Sequence, residues 1–527
     1  MIKKLLIYIG FLFPAAFSSI LNYLITEIFI PEKLYSDILI ATILFAFCLL
    51  FKPGKLRAAV TIIMLLFIYA ITFIEVGHIY LYKGTLTAST LFIIFDTNPA
   101  EVKEFLQMYF DRNLIIMLVS MAVMYIFCVY HIVTNKNYWL NKWIKVVYIL
   151  VIISMSYYVY KLRENSLPYT IFKAYSEYKI EIAKYNQFEF SKNGGKFSKV
   201  SSKINNKQVY VLVIGESATK THMGLYNYYR QTTPLLKKLE DNLVVYNNVI
   251  TPHTHTITAL EKVLTVANYE NPKKQFDGSV IQLFNRAGFK TYWISNQRPA
   301  GFYDTFVTAL SKSSDKRFFI NTAHNSYQTP FDEQLFIPLQ KCLDETADKK
   351  LIIVHLLGSH ADYSQRFPKS YQKFITIPQT QFKNTAAYST INQYDNSILY
   401  TDYIVSEVID KIKKQNCNSF VMYLSDHGED VYQTTNTAYH TETKGTKPMY
   451  QIPFILWQSD KQKEATKNLV FYPERKYMSD DLIYTMADLA RITFVEFDSS
   501  RSLVNKNFNK NRKRQIYNKN NFDVIFQ

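Results

Sequence analysis

Residues 209–217 read VYVLVIGES. The six apolar residues Val209–Ile214 run without alternation, the pattern of a strand buried on both faces of a parallel sheet. Gly215, Glu216 and Ser217 close it. Similar short apolar runs follow at Val244–Val249, Thr291–Ile294, Leu351–Leu357, Phe420–Leu424 and Pro453–Trp457. Helical spacing lies between and after them, at Ile398–Ile412, from Thr256 to about Val266, and at Ser479–Ile492. The last has a Ser cap followed by Asp480 and Asp481, which favours a helix start. Strand and helix in alternation predict an α/β domain with a mostly parallel sheet.

In such sheets functional groups collect just beyond the C-terminal strand ends. The run Val209–Ile214 leads into Glu216, and Val244–Val249 leads into Thr251-Pro252-His253-Thr254-His255-Thr256. Leu351–Leu357 leads into Gly358-Ser359-His360, and Phe420–Leu424 into Ser425-Asp426-His427-Gly428-Glu429. These ends gather carboxylate, hydroxyl and imidazole groups and no thiol, a donor set suited to a hard or borderline metal. Each residue also has a plainer reading. Glu216 alone would be a surface acid or a helix cap, and Asp426-His427 a capped turn. Thr256 would be the N-cap of its helix; beside a metal its hydroxyl becomes a nucleophile, because a metal lowers the pKa that otherwise keeps it weak. His360 and His440, structural when alone, become donors to phosphoryl oxygens or a leaving group. His253 and His255 flank Thr256 and stay open as alternatives.

Before the soluble domain, residues 1–160 hold almost all the long apolar runs. Five stretches are expected to span a membrane: Leu5–Ile25, Leu34–Phe51, Ala58–Ile74, Leu114–Val133 and Ile144–Tyr160, several near the lower limit of about 17 residues. Lys3 and Lys4 precede the first, as in a signal peptide, but four further runs favour an uncleaved anchor. Positive residues mark the N-terminus and the loops holding Lys52, Lys55, Arg57 and Lys136, Lys142, Lys145 as cytoplasmic. With five spans the C-terminal domain lies outside, which is the periplasm in a bacterium with two membranes. Residues 161–206 form a polar connector whose stretch Tyr169–Tyr185 spaces Phe172, Tyr175, Tyr178 and Ile182 helically, suiting either a membrane-surface helix or a plain linker.

The net charge is +17, of which +4 falls in residues 1–160 and +13 in the remainder. A basic soluble domain suits anionic partners such as a membrane surface or phosphorylated glycans, or simple solubility. No nucleic-acid motif is present and the basic residues are scattered. Four cysteines exclude a disulfide framework; Cys342 and Cys417 allow at most one bridge in the soluble part.

Taken in order, VLVIGESATKTHMGLYNYYRQTTP, NNVITPHTHTITALEKVLTVAN, IIVHLLGSHADYSQRFP and YLSDHGEDVY resemble the phosphoethanolamine transferases of Gram-negative inner membranes, in the alkaline phosphatase and sulfatase superfamily. The resemblance extends over essentially the whole chain and includes FDTNPAEVKEFL in the third loop. It implies three parts: a membrane domain of five transmembrane helices (1–160), a partly helical connector (161–206) and a periplasmic sulfatase-like catalytic domain (207–527). It implies zinc bound by Glu216, Thr256, Asp426 and His427, with Thr256 the nucleophile that carries phosphoethanolamine. It implies that His360 and His440 contact the phosphoryl group and the substrate, and that Thr97 and Glu101 line the donor-lipid pocket. The spacing around His440 departs from the pattern. The donor implied is phosphatidylethanolamine and the acceptor lipopolysaccharide. The lipid A branch carries several disulfides, whereas this chain is closer to the branch acting on an inner-core heptose. The alternatives are transfer to lipid A, a phosphoglycerol transferase of the lipoteichoic acid synthase type, a sulfatase or phosphatase, and a non-enzymatic membrane scaffold. No C/S-x-P-x-R context, which a sulfatase needs, surrounds Thr256.

Overall fold

The computed structural model describes residues 2–26, 29–82, 112–134 and 142–162, scattered positions between 166 and 179, and 191–527 apart from 205, 298–305 and 322–328. Thr97 and Glu101, and most of the expected helix Tyr169–Tyr185, lie outside the described residues. The chain divides into a helical unit within residues 1–181 and a second unit spanning 182–527.

The first unit contains α1 (Ile2–Thr26), α2 (Pro31–Leu50), α3 (Lys55–Tyr82), α4 (Arg112–Thr134) and α5 (Lys142–Lys161). Among the described residues four of these, α1 to α4, are long and apolar enough to cross a membrane, not the five expected. The fifth stretch is also helical, as α5.

Phe11, Leu65, Val76, Met121 and Cys128 form the centre of this bundle. Pro14 sits inside α1 and has no N–H, so the carbonyl of Gly10 loses its helical partner. The Tyr69 hydroxyl on α3 donates to that carbonyl at 3.1 Å. In lipid a backbone group left unpaired is costly, so a neighbouring helix supplies the donor. Gly10 also lets α4 approach, since a Cβ there would collide with Cys128 Sγ. Tyr69→Phe is expected to destabilise the bundle by about 0.6–1.7 kcal/mol, the range for such interhelical bonds; denaturant titration in detergent checks this.

The second unit is built on a seven-stranded sheet of β1 (Gln208–Gly215), β2 (Leu243–Val245), β4 (Lys290–Ser295), β5 (Lys316–Phe319), β6 (Lys349–His355), β7 (Asn418–Ser425) and β8 (Phe454–Gln458). The strand order is β2-β8-β7-β1-β6-β4-β5. Strands β7, β1, β6, β4 and β5 run parallel, while β8 lies antiparallel to both neighbours. Every residue of β1 and β7 is buried, as their unalternating apolar runs require. The helix α7 (Thr385–Lys413) is N-capped by Asn384, whose side chain accepts from Ala387 N at 2.8 Å.

Two expectations change. The run Val244–Val249 is not one strand. It breaks after Val245, and β3 (Val249–Ile250) instead pairs in parallel with β9 (Tyr477–Met478), away from the main sheet. The break has a cause: Arg514 holds the Asn248 carbonyl and side-chain oxygen at 2.9 and 2.8 Å. At Ser479–Ile492 a 3₁₀ turn, Ser479–Asp481, precedes α8 (Leu482–Leu489). Ser479 does not cap, its hydroxyl being buried without a hydrogen-bond partner. Asp480 and Asp481 pair with Arg512 instead, each at 2.7 Å. All four cysteines are free and buried.

Candidate metal and phosphoryl-transfer site

Adjacent parallel strands β1 and β7 pair Gly215 with Ser425 at their C-terminal ends. The next residues, Glu216 and Asp426, therefore leave the sheet side by side. Ser217 adopts φ +54°, and its N–H donates to Asp426 Oδ1 at 3.1 Å while its hydroxyl donates to Glu216 Oε1 at 2.9 Å. His427 N–H also donates to Asp426 Oδ1, at 2.7 Å. Behind Glu216 lies Gly358, at φ +53°, where a Cβ would stand 2.9 Å from both the N and O of Glu216. Gly358→Ala is expected to push Glu216 out of place and to cost about 1–3 kcal/mol in backbone strain; its measure is a lowered Tm together with lowered transfer.

Thr256 is the first residue of α6 (Thr256–Val263), whose N-cap position is held by His255 without a side-chain cap bond. The Thr256 hydroxyl is thus not spent on capping. It lies 3.3 and 3.2 Å from the two oxygens of Glu216 and 3.5 Å from His427 Nε2. His427 Nε2 in turn lies 3.3 Å from Glu216 Oε1 and 3.5 Å from Asp426 Oδ2. The structure brings Glu216, Thr256, Asp426 and His427 together around one point.

The donor chemistry fits a metal ion. His427 Nδ1 bonds the Gly428 carbonyl at 2.9 Å, which puts the proton on Nδ1 and directs the Nε2 lone pair into the cluster. Asp426 Oδ2 is buried without a hydrogen-bond partner. Ligand atoms of Glu216, Asp426 and His427 lie within 4.8 Å of one another, and so do those of His427, Glu429 and His440. The electrostatics also call for positive charge. Burial, then the Glu216 charge, pushes the Asp426 carboxyl up to about 6. Burial works to lower the His427 imidazole, but the Asp426 charge and Glu216 outweigh it and hold it up to about 10.

A second layer lies against the first. The His440 ring centroid stands 4.3 Å from that of His427 and 5.1 Å from that of His255. His440 Nδ1 pairs with Glu429 Oε2 at 2.8 Å. Burial pushes Glu429 up to about 8, and burial with the His427 charge pushes His440 well below its usual range. His360 is close enough for its charge to act on both Glu429 and His440. Burial, then His440, pushes His255 down to about 3. His253 turns away: it stacks on Tyr269 and pairs with Glu442 at 2.9 Å, and the same Glu442 oxygen accepts from Thr254 N–H at 2.8 Å.

Sequence reasoning omitted Glu429, Glu442 and Gln297, whose side chain donates to Glu216 Oε2 at 3.4 Å. Glu429 was open to detection, since it closes the tetrapeptide that begins with Asp426. Glu442 and Gln297 carry no local signal, because only the fold brings them to the strand ends.

A parallel sheet core with a buried carboxylate, imidazole and hydroxyl cluster at its C-terminal edge defines the alkaline phosphatase-like class of α/β domain. Residues 208–492 match the Sulfatase family. The phosphoethanolamine transferase EptC of Escherichia coli (strain K12) is 32% identical over 489 residues, 87% of this chain and 84% of that protein. The C-terminal periplasmic domain of Escherichia coli EptC, solved in complex with zinc, aligns with a TM-score of 0.59 and 37% identity, covering 63% of this chain and 95% of that one. Neisseria meningitidis lipooligosaccharide phosphoethanolamine transferase A, at 18% identity, TM-score 0.71 and coverage of 94% and 98%, shares the fold. The chain belongs to the sulfatase family and, within it, to the phosphoethanolamine transferases.

Proposed function

We propose that this protein transfers phosphoethanolamine from phosphatidylethanolamine to lipopolysaccharide, at an inner-core heptose, through a phosphoethanolamine–Thr256 intermediate. One observation carries the reading: the Thr256 hydroxyl, free of any capping role, converges with Glu216, Asp426 and His427 at the sheet edge. Glu216, Thr256, Asp426 and His427 would hold zinc. When bound there, the ion supplies Lewis-acid stabilisation of the threonine alkoxide and of the phosphoryl oxygens.

The residues then divide the work. The nearest acceptors for the Thr256 proton are the Glu216 oxygens at 3.2 and 3.3 Å. Thr256 Oγ1 attacks phosphorus, the bond to the glycerol oxygen breaks, and diacylglycerol leaves with a proton. A heptose hydroxyl next attacks the phosphorus, and the Thr256 oxygen departs and recovers its proton. His440, whose Nδ1 pairs with Glu429 at 2.8 Å, and His360 would act as donors to the phosphoryl oxygens or the leaving oxygen. The domain division 1–160, 161–206 and 207–527 belongs to the same proposal, as does a donor-lipid role for Thr97 and Glu101.

The proposed location is the inner membrane of a bacterium with two membranes, the catalytic domain in the periplasm, as in the relative whose solved domain is periplasmic. Apolar helices support membrane attachment. Because donor and acceptor are both membrane lipids, tethering raises their effective concentration at the site.

The test is mass spectrometry of lipopolysaccharide cleaved by mild acid, from cells with wild-type protein and with Thr256→Ala. A Thr256-dependent phosphoethanolamine increment is expected in the core fraction. Its appearance only in lipid A would overturn the acceptor, and a phosphoglycerol increment would overturn the donor headgroup.

A further inference from the structure

The turn that follows β1 holds a backbone conformation that needs support. Ser217 sits at φ +54°, in the left-handed region that a residue with a Cβ enters only at a cost. From that conformation its N–H reaches Asp426 Oδ1 and its hydroxyl reaches Glu216 Oε1. One residue thus fixes an oxygen of two carboxylates that leave different strands. A Ser217 relaxed to an ordinary extended conformation would aim neither bond.

The support comes from a distant element. Tyr394 of α7 is wholly buried. Its hydroxyl donates to the Ser217 carbonyl at 2.6 Å and accepts from the Thr219 N–H at 2.9 Å. Between these two bonds the Ala218 N–H is taken by Ser425 Oγ at 2.9 Å. A single hydroxyl therefore closes the turn on both sides. Both backbone groups belong to buried residues, so without Tyr394 they would lose this partner where water does not readily replace it.

The Tyr394 ring is itself held. Tyr363 and His222 meet it edge-on, with centroids at 4.9 and 5.1 Å. The next residue on α7, Asp395, pairs with His222 Nδ1 and with Arg230, each at 2.7 Å. The segment after Ser217 is thereby tied to α7 independently of the Tyr394 hydroxyl. Removing that hydroxyl would release the turn and leave the segment docked.

Building on the reading that Glu216 and Asp426 hold zinc, we propose that Tyr394 is a positioning residue for the metal site: its hydroxyl pins Ser217 in the left-handed conformation and so sets both carboxylates for the ion.

The experiment compares full-length wild type, Tyr394→Phe and Tyr210→Phe, each stripped by chelation and titrated with zinc against a competing chromophoric chelator. Tyr210 is the control: it is wholly buried on β1, and its hydroxyl bonds Gln208 and Gln462 at 3.1 and 3.2 Å, away from the strand end that carries Glu216. Tyr394→Phe is expected to weaken zinc binding by about tenfold or more, as loss of an outer-shell partner does. Tyr210→Phe should leave the affinity unchanged. The visible spectrum of cobalt-loaded protein should shift in Tyr394→Phe alone, because the ligands are then held differently. Unchanged zinc affinity in Tyr394→Phe, an equal loss in Tyr210→Phe, or an unshifted cobalt spectrum overturns the proposal. Should Tyr394→Phe not fold, Ser217→Ala takes its place, cutting the same chain of bonds at its last link, with the same expected loss and the same overturning results. Wild type that binds no zinc sinks the metal reading and this proposal with it; wild type that binds zinc beside an unaffected Tyr394→Phe sinks the proposal alone.

Discussion

Thr256→Ala is expected to abolish transfer while the protein folds and inserts as before. Loss of a nucleophile that acts in concert with its neighbours typically lowers the rate by about 10⁴-fold or more. The side chain is only partly buried and caps nothing, so stability should change by less than about 1 kcal/mol. Thr256→Ser, which keeps a hydroxyl at that point, should retain measurable transfer. The decisive comparison is the mass of intact protein after exposure to phosphatidylethanolamine without acceptor. Wild type should gain one phosphoethanolamine, and the alanine variant none. Wild-type transfer rates in membranes containing Thr256→Ala protein would remove threonine from the mechanism.

Removing Asp426 and His427 together should empty the site of zinc. In the proposed zinc site the pair would supply one carboxylate and one imidazole of four donors, whereas loss of a single outer-shell partner already weakens metal binding by about 10–100-fold. An affinity loss beyond about 10²-fold is therefore expected, read by elemental analysis of purified protein. A second readout separates metal loss from misfolding. Because an ion that binds the native state stabilises it by mass action, chelation should lower the Tm of wild type and leave the variant unmoved. Asp426→Asn keeps an acceptor for the amides of Ser217 and His427 and serves as the folding control. Undiminished zinc in the double variant would mean that the ion, if present, is held elsewhere.

The apolar runs at Val209–Ile214 and Phe420–Leu424 were enough to expect neighbouring buried strands, and the register Gly215 to Ser425 shows why their trailing residues form one site. A strand buried on both faces must be apolar throughout, so the pattern is written locally. The polar residues that end such strands stand out against it, and Glu216, Thr256, Asp426 and His427 were legible for that reason. The split of Val244–Val249 was hidden because Arg514, 266 residues further on, competes for the Asn248 backbone.

By itself, then, the sequence determined the alternation of strand and helix, the apolar front of the chain and the identity of the metal-capable residues, since each depends on side chains close along the chain. Only the tertiary structure decided that Glu429 orients His440, that Glu442 anchors the turn before Thr256, and that Tyr69 satisfies the carbonyl freed by Pro14. It also decided that Lys33 of α2 pairs with Glu75 of α3. These are pairings between distant segments, fixed by which surfaces pack and which buried polar atoms must find a partner. No local period in the sequence encodes them.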